Sequence, residues 1–139
     1  MNSAGYLINH LARLFAAGLR NRIEPLGIVP GQFATLLELW MNDGQTQKEL
    51  VKKLDLEQAT LANTLARMER DGLITRREHP TDGRARIVRL TEKARDIRKG
   101  AYEAAQATNE AALSSLSGEE REQFNNIMRK IIVGMKNDE

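Results

Sequence analysis

Near the start of the chain, apolar residues recur every three or four positions: Leu7, Leu11, Leu14, Phe15, Leu19 and Ile23. That spacing is the stripe of an amphipathic helix and predicts one from Tyr6 to Leu26. "EPLGIVPG" then breaks the pattern, with Pro25 and Pro30 around Gly27, and a second helix is expected from Pro30, a residue suited to a first turn. It carries Phe33, Leu36, Leu37 and Trp40 inward before "NDG" stops it. The next segment, "TQKELVKKL", opens with a capping box: Thr46 is placed to accept from the Glu49 backbone N–H while Glu49 reaches back to that of Thr46. Leu50, Val51 and Leu54 form its buried side. After the short turn "DLE", a further amphipathic segment runs from Gln58 to about Arg70 and stops at Asp71-Gly72. Two short helices joined by so tight a turn are a helix-turn-helix candidate.

The period then changes from helical to two-residue. "LITRRE" and "ARIVRL" read as strands around the turn-rich "HPTDGR", which makes a hairpin. From Thr91, a good N-cap, a long segment rich in Ala, Glu, Lys and Arg reads as one helix, and "SLSGEE" opens a last one with Phe124, Ile127, Met128, Ile131 and Ile132 on its apolar side. No internal repeat or low-complexity tract interrupts this order. A helix-turn-helix followed at once by a basic hairpin is a winged helix, so the predicted fold is mainly α with a small β-hairpin wing.

Charge sharpens the picture. The net charge is only +2, but residues 75 to 100 hold nine Lys/Arg against four Asp/Glu, and residues 101 to 139 hold four against seven. One surface therefore suits a polyanion and another does not. Charge alone is equally compatible with a solvated face; the helical context decides between the two.

On a helical wheel of the second helix of the pair, Leu61, Leu65 and Met68 share one side. The opposite side shows Ala59, Ala62, Asn63, Ala66 and Arg70, with Gln58, Thr60 and Arg67 on the flanks. This face carries no acid among those positions and is almost free of bulk, as a helix entering a DNA major groove must be. Asn and Gln pair bidentately with adenine, and Ala or Thr can touch a thymine methyl. Gln58, Thr60 and Asn63 are expected at base edges, with Ala59 and Ala62 beside them, and Arg67 and Arg70 at phosphates. Lys48, Lys52 and Lys53 on the preceding helix are placed to neutralise phosphates where that helix crosses the backbone.

Arg84 and Arg86 sit at or just past the hairpin tip, where a wing meets the minor groove and an arginine gains from its negative potential. Asp82 would be repelled by DNA, so its expected role is internal. It braces the wing by pairing with Arg76 at the hairpin base or by accepting backbone N–H groups in the turn, and either arrangement fixes the aim of Arg84. His79 is either a further phosphate contact or an incidental loop residue.

At this point the sequence resembles the MarR family of bacterial transcription regulators over nearly its whole length. "GLITRREHPTDGRARIVRLTEKA", residues 72 to 94, matches the family pattern of Gly-Leu-Ile-x-Arg, a short loop with Asp-x-Arg, and a strand ending in Leu-Thr. "TQKELVKKLDLEQATLANTLARMERDG" lies where the family has its helix-turn-helix. The resemblance implies a single MarR-type domain over residues 1–139, with the winged helix-turn-helix at 30–94 and dimerisation helices at 6–26 and 95–136. It implies an obligate homodimer on double-stranded DNA, and two recognition helices about one turn (~34 Å) apart would read a palindrome. It implies a repressor more often than an activator. Ala101, Ala104, Ala105, Ala111 and Ala112 would let the terminal helices approach closely. Family members are often released by small aromatic or phenolic anions, for which His10, Arg13, Phe33 and Leu37 are candidate pocket residues; His10 and Arg13 serving a dimer seam is the competing reading. Three positions depart from the family pattern: Asp55 for a turn glycine, Glu57 for a small N-cap, and Ala94 for a glycine after the wing.

Other classes fare poorly. With no cysteine and two histidines there is no metal-ligand spacing, thiolate nucleophile or cysteine redox sensor, and no glycine-rich phosphate loop, so neither an enzyme nor a cofactor is expected. No apolar run approaches the ~20 residues of a membrane span, and the start lacks secretory features, so a cytoplasmic location is expected. Two competitors stand beside the DNA-reading regulator. A winged-helix protein-interaction module would show an acidic or apolar recognition helix; an architectural DNA binder would lack base readers such as Asn63 and Gln58.

Overall fold

A computed structural model describes residues 2–137. Seven helices and three short strands follow in order: α1 (Ala4–Ile23), α2 (Pro30–Met41), β1 (Gln45–Thr46), α3 (Gln47–Leu54), α4 (Gln58–Arg70), β2 (Ile74–Glu78), β3 (Arg86–Leu90), α5 (Glu92–Asp96), α6 (Arg98–Ala112) and α7 (Gly118–Asn137). The helix expected from Tyr6 to Leu26 starts two residues earlier, and its final turn, Glu24–Leu26, tightens to a 3-10 turn that ends on Gly27 at φ 82°.

Local chemistry sets most boundaries. Pro30 opens α2. At α3 the capping box forms as expected, with the Glu49 N–H donating to Thr46 Oγ1 at 3.1 Å and the Thr46 N–H to Glu49 Oε1 at 3.2 Å. α4 ends in a Schellman closure: the Leu73 N–H reaches the Met68 carbonyl at 2.9 Å and the Gly72 N–H that of Glu69 at 3.1 Å, with Gly72 at φ 77°. Ser117 and Glu120 form a second reciprocal cap at α7 (3.1 and 3.0 Å).

The wing is more than a hairpin. β3 pairs antiparallel with β2 (Ile74↔Leu90, Arg76↔Val88, Glu78↔Arg86) and, on its other edge, with β1 (Gln45↔Val88, Thr46↔Ile87). Two residues are too few to show alternation, so β1 has no periodic signature in the sequence. The Asp43 carboxylate holds this edge by accepting from the Gly44 and Leu90 N–H groups, both at 2.9 Å. Gly44 is at φ 76°, a left-handed backbone that favours glycine; a Cβ there would meet only the movable end of Arg89.

The long helix expected from Thr91 is broken. Thr91 caps α5 through the Ala94 N–H (3.2 Å), but Ile97, at φ −87° and ψ −3°, separates α5 from α6. α6 then lies against α1, where Ala101, Ala104 and Thr108 are buried, so part of the alanine stripe expected for close helix approach is used within the chain. The core joins these layers: Ile23, Leu36, Leu39, Leu50, Leu61, Leu65, Met68, Leu73 and Val88 are fully buried, and the Trp40 indole N–H donates to the Ala94 carbonyl at 3.0 Å. Outside the core, α7 buries none of its residues, and Tyr6, Leu7, Ile8, Leu11 and Leu14 on α1 stand exposed with Ile127, Ile131, Ile132 and Val133 on α7.

Candidate nucleic-acid interface

The sheet turns the wing tip toward the start of the helix pair. A groove of about 430 Å³ results, bounded by Thr46, Gln47, Lys48 and Val51 of β1 and α3, by Gln58 at the first turn of α4, and by Asp82, Arg84, Ala85 and Arg86 of the wing. Lys48, Gln58, Arg84 and Arg86, singled out separately in the sequence, therefore border one cleft. Its three basic side chains face one acid, Asp82.

From this groove the outer side of α4 continues as an open face. Gln58, Ala59, Thr60, Asn63, Ala66, Arg67 and Arg70 are exposed and Ala62 is half-buried, while Leu61, Leu65 and Met68 point into the core. Glu57 makes no side-chain cap bond, so the first-turn N–H groups of α4 are open to an acceptor from outside. Arg67 has no ion-pair partner among the described residues, whereas Arg70 holds the Asp71 carboxylate (Nε–Oδ1 3.2 Å). Arg70, expected at phosphate, thus has a partner of its own at the end of the helix.

The wing brace differs in its partner. Arg76 does not pair with Asp82; it grips Glu69 of α4, with Nη2–Oε1 at 3.1 Å and Nε–Oε2 at 3.5 Å. The register explains this: Arg76 lies opposite Val88 in the middle of the hairpin, far from the tip but beside the last turn of α4. The hydrogen bond from Arg76, more than its charge, holds the Glu69 carboxyl below the usual carboxylate range. Asp82 takes the second of its two expected roles, with Oδ1 accepting the Arg84 N–H at 3.1 Å. His79 is not incidental: its Nδ1 accepts the N–H groups of Thr81 and Asp82, both at 3.1 Å.

A hub behind α4 was not anticipated from the sequence. Gln32, buried near the start of α2, donates to Asp71 Oδ2 at 2.9 Å, and Lys93 donates to the Asp71 carbonyl at 2.9 Å. The Gln32 bond, followed by that from Arg70, lowers the Asp71 carboxyl pKa. Its only prior signal was an uncharged amide on the inward side of an apolar helix.

The candidate effector residues differ in exposure. His10 and Arg13 are exposed on α1, His10 edge-on to Tyr6 with ring centroids 6.1 Å apart. Phe33 is buried against Trp40 (6.3 Å) and Leu37 is half-buried beside the core. Neither the groove above nor the second cavity, of about 280 Å³ between Phe15, Leu113 and Met128, includes any of the four. Among the described residues, no helix is long and apolar enough to cross a membrane.

Residues 28–85 match the family model described as MarR family. The whole chain superposes on a MarR transcriptional regulator from Methanosarcina mazei Go1 with a TM-score of 0.89 and 27% identity, covering 97% of each chain. Residues 28–85 thus resemble the MarR family, and the chain shares the fold of these regulators. Another structure, described as a probable transcriptional regulator from Pseudomonas aeruginosa, matches at TM-score 0.86 and 28% identity over 94% of this chain and 97% of the other. A mutant MarR from E. coli complexed with operator DNA has the same fold (TM-score 0.85, 24% identity, 91% of each chain). The matched MarR segment runs from Ile28 to Ala85, so it contains α2 through the wing tip. α1 and α5–α7 are placed by structural likeness.

Against the MarR pattern, Asp55 takes up the turn glycine's backbone, at φ 52°, and its carboxylate meets Lys136 of α7 at 3.3 Å. It is the one non-glycine residue with positive φ among those described. Ala94, in place of a glycine, is fully buried beneath Trp40.

Proposed function

We propose that this protein belongs to the MarR family and is a sequence-specific transcriptional regulator that binds double-stranded DNA as a homodimer, with residues 30–94 as the reading region and residues 6–26 and 95–136 as the pairing helices. The single observation that carries the proposal is the cleft in which Lys48, Gln58, Arg84 and Arg86 meet at the open end of α4. In this reading α4 enters a major groove with Gln58, Thr60 and Asn63 toward base edges and Ala59 and Ala62 toward thymine methyls. Lys48, Arg67 and Arg70 contact phosphate, and Arg84 and Arg86 reach the neighbouring minor groove. A protein of the same fold, the mutant E. coli MarR, is complexed with operator DNA, which supports DNA as the partner.

The exposed apolar sides of α1 and α7 support pairing with a second copy, since so many uncovered apolar side chains mark an interface. A symmetric pair presents two reading heads to a palindrome. Seated across a promoter, such a dimer excludes other proteins, so repression is the simplest action. The proposal assigns no effector pocket: His10, Arg13, Phe33 and Leu37 line neither the cleft nor the cavity beside Phe15.

The test is a fluorescence-anisotropy titration against DNA upstream of the protein's own gene, with a random duplex of equal length beside it, at several salt concentrations. Selective binding with a steep salt dependence is expected. Equal binding to both duplexes would favour an architectural role, and binding to neither at moderate salt a protein-interaction module.

A further inference from the structure

The tip of the wing is closed by one imidazole. Between β2 and β3 the chain runs His79-Pro80-Thr81-Asp82-Gly83-Arg84-Ala85, and regular pairing stops at Glu78↔Arg86. Inside that loop the His79 N–H donates to the Ala85 carbonyl at 3.0 Å and the Ala85 N–H to that of Asp82 at 3.1 Å. The remaining inward donors, the N–H groups of Thr81 and Asp82, both point at His79 Nδ1 at 3.1 Å, and the Thr81 hydroxyl lies 3.2 Å from the same atom. A backbone amide can only donate. Nδ1 must therefore carry a bare lone pair and the ring proton must be on Nε2. Asp82, whose N–H is held in this way, uses its own carboxylate to hold the Arg84 N–H. A chain of contacts thus leads from the ring to Asp82, and from Asp82 to the residue whose side chain lines the cleft.

We propose that His79 is a positioning residue of the wing: in its neutral form with Nδ1 unprotonated it folds the tip and aims Arg84, and protonation releases the tip. The inference rests on the DNA-reading function proposed above. Imidazole is the side chain whose charge changes between about pH 5 and 8. Protonation puts a hydrogen on Nδ1, so an acceptor facing two N–H groups becomes a third donor. The charged residues nearest it in the chain are Glu78, Asp82, Arg84 and Arg86, of which Asp82, Arg84 and Arg86 border the cleft opposite Lys48 of α3. A protonated ring adds one more positive charge to this basic surface. Non-selective attraction to phosphate therefore does not fall with pH, whereas the aimed contact does, and the expected signature is a loss of discrimination.

His79→Asn separates the two effects. The Asn Oδ1 occupies the same place in the side chain as the His Nδ1, one bond beyond Cγ, and accepts two N–H groups, as in an Asx turn. It cannot be protonated in this pH range. His79→Ala removes the acceptor at every pH. With only two histidines in the chain, pH dependence that remains in His79→Asn reports on His10 or the terminus.

The experiment uses the full-length protein. First, without DNA, the ring 15N shifts of His79 and the exchange protection of the Thr81 and Asp82 amides are followed from pH 8 to 5.5. Expected are a bare Nδ1 at pH 8, protection that falls toward pH 5.5, protection that persists in His79→Asn, and none in His79→Ala. A proton on Nδ1 at pH 8, or equal protection in His79→Ala, would overturn the latch. Second, affinity for an operator duplex and a random duplex is measured over the same range. The ratio of the two affinities should fall about tenfold as wild type is acidified, taking the lost aim as one groove contact. It should stay flat in His79→Asn and be low throughout in His79→Ala. Unchanged discrimination in His79→Ala would overturn the role in aiming Arg84. If no variant, wild type included, prefers any duplex, the DNA-reading function fails instead, and the first arm still decides the latch.

Discussion

In the winged region the apolar sides of α3, α4 and the sheet face one another, and Leu50, Leu61, Leu65, Met68, Leu73 and Val88 lose all contact with solvent. In the terminal helices the same kind of stripe ends in water. Leu14 is 59% exposed, Ile131 48% and Val133 58%, and α7 buries no residue at all. Both stripes are periodic in the sequence. In the proposed dimer, one chain supplies both halves of the first core and only one half of the second. Periodicity marks what must be covered but does not say which molecule covers it.

That comparison can be broken from either side. Leu65→Ala opens a cavity in the completed core and should cost about 3 kcal/mol of stability, read by urea unfolding at fixed protomer concentration. The association state of the folded protein should not change. A charge on the other stripe should do the reverse. Leu11→Glu or Ile131→Glu should weaken pairing by about 2 kcal/mol per substituted side chain, seen as monomer in sedimentation at low micromolar concentration, while the near-ultraviolet signal of Trp40 is retained. Loss of the Trp40 signal in step with dissociation would show that the head is not complete in one chain.

The next effect belongs to the wing. Arg84→Ala should lower operator affinity by about 1–3 kcal/mol without lowering stability. Asp82→Ala should weaken binding too, by less, although it removes a negative charge from a surface meant for DNA. Tighter binding by Asp82→Ala would mean that its bond to the Arg84 N–H does not set the wing's aim.

The smallest effect is the pair that ties the wing base to α4. The Glu69 carboxyl is depressed chiefly by its hydrogen bond from Arg76, so its contribution is complete above the ordinary carboxylate range and is lost as pH falls through the lowered folded value. Stability should therefore decline less steeply on acidification in Glu69→Gln than in wild type. An identical acid limb would show that the pair contributes nothing to the head.

Legibility in the sequence follows the range of the interactions. The capping box at Thr46, the stop at Gly72, the α4 face and the two wing strands depend on neighbours within a few residues, and each is readable from spacing. β1 is not, because Gln45 and Thr46 become a strand only by pairing with Val88 and Ile87, more than forty positions away. The exchange of Asp82 for Glu69 as the partner of Arg76 has the same origin: charge identifies that Arg76 needs an acid, and only the sheet register shows which acid is in reach. The break at Ile97 runs against a strongly helical composition and comes from tertiary docking of α5 under the sheet and α6 along α1. His79 was chemically visible but had no period to assign it. A loop histidine gains meaning only once the two amides that face it are placed.

The central claim is that the face of α4 beside the Lys48–Arg86 cleft reads DNA sequence in a symmetric pair. The most direct test is selection of duplexes from a random library by the full-length protein, repeated with Asn63→Ala. The expected result is a palindromic motif with half-site centres about 10 base pairs apart, and relaxed preference at one position of each half-site in Asn63→Ala. No enriched motif, or a motif unchanged by Asn63→Ala and Gln58→Ala together, would contradict the account.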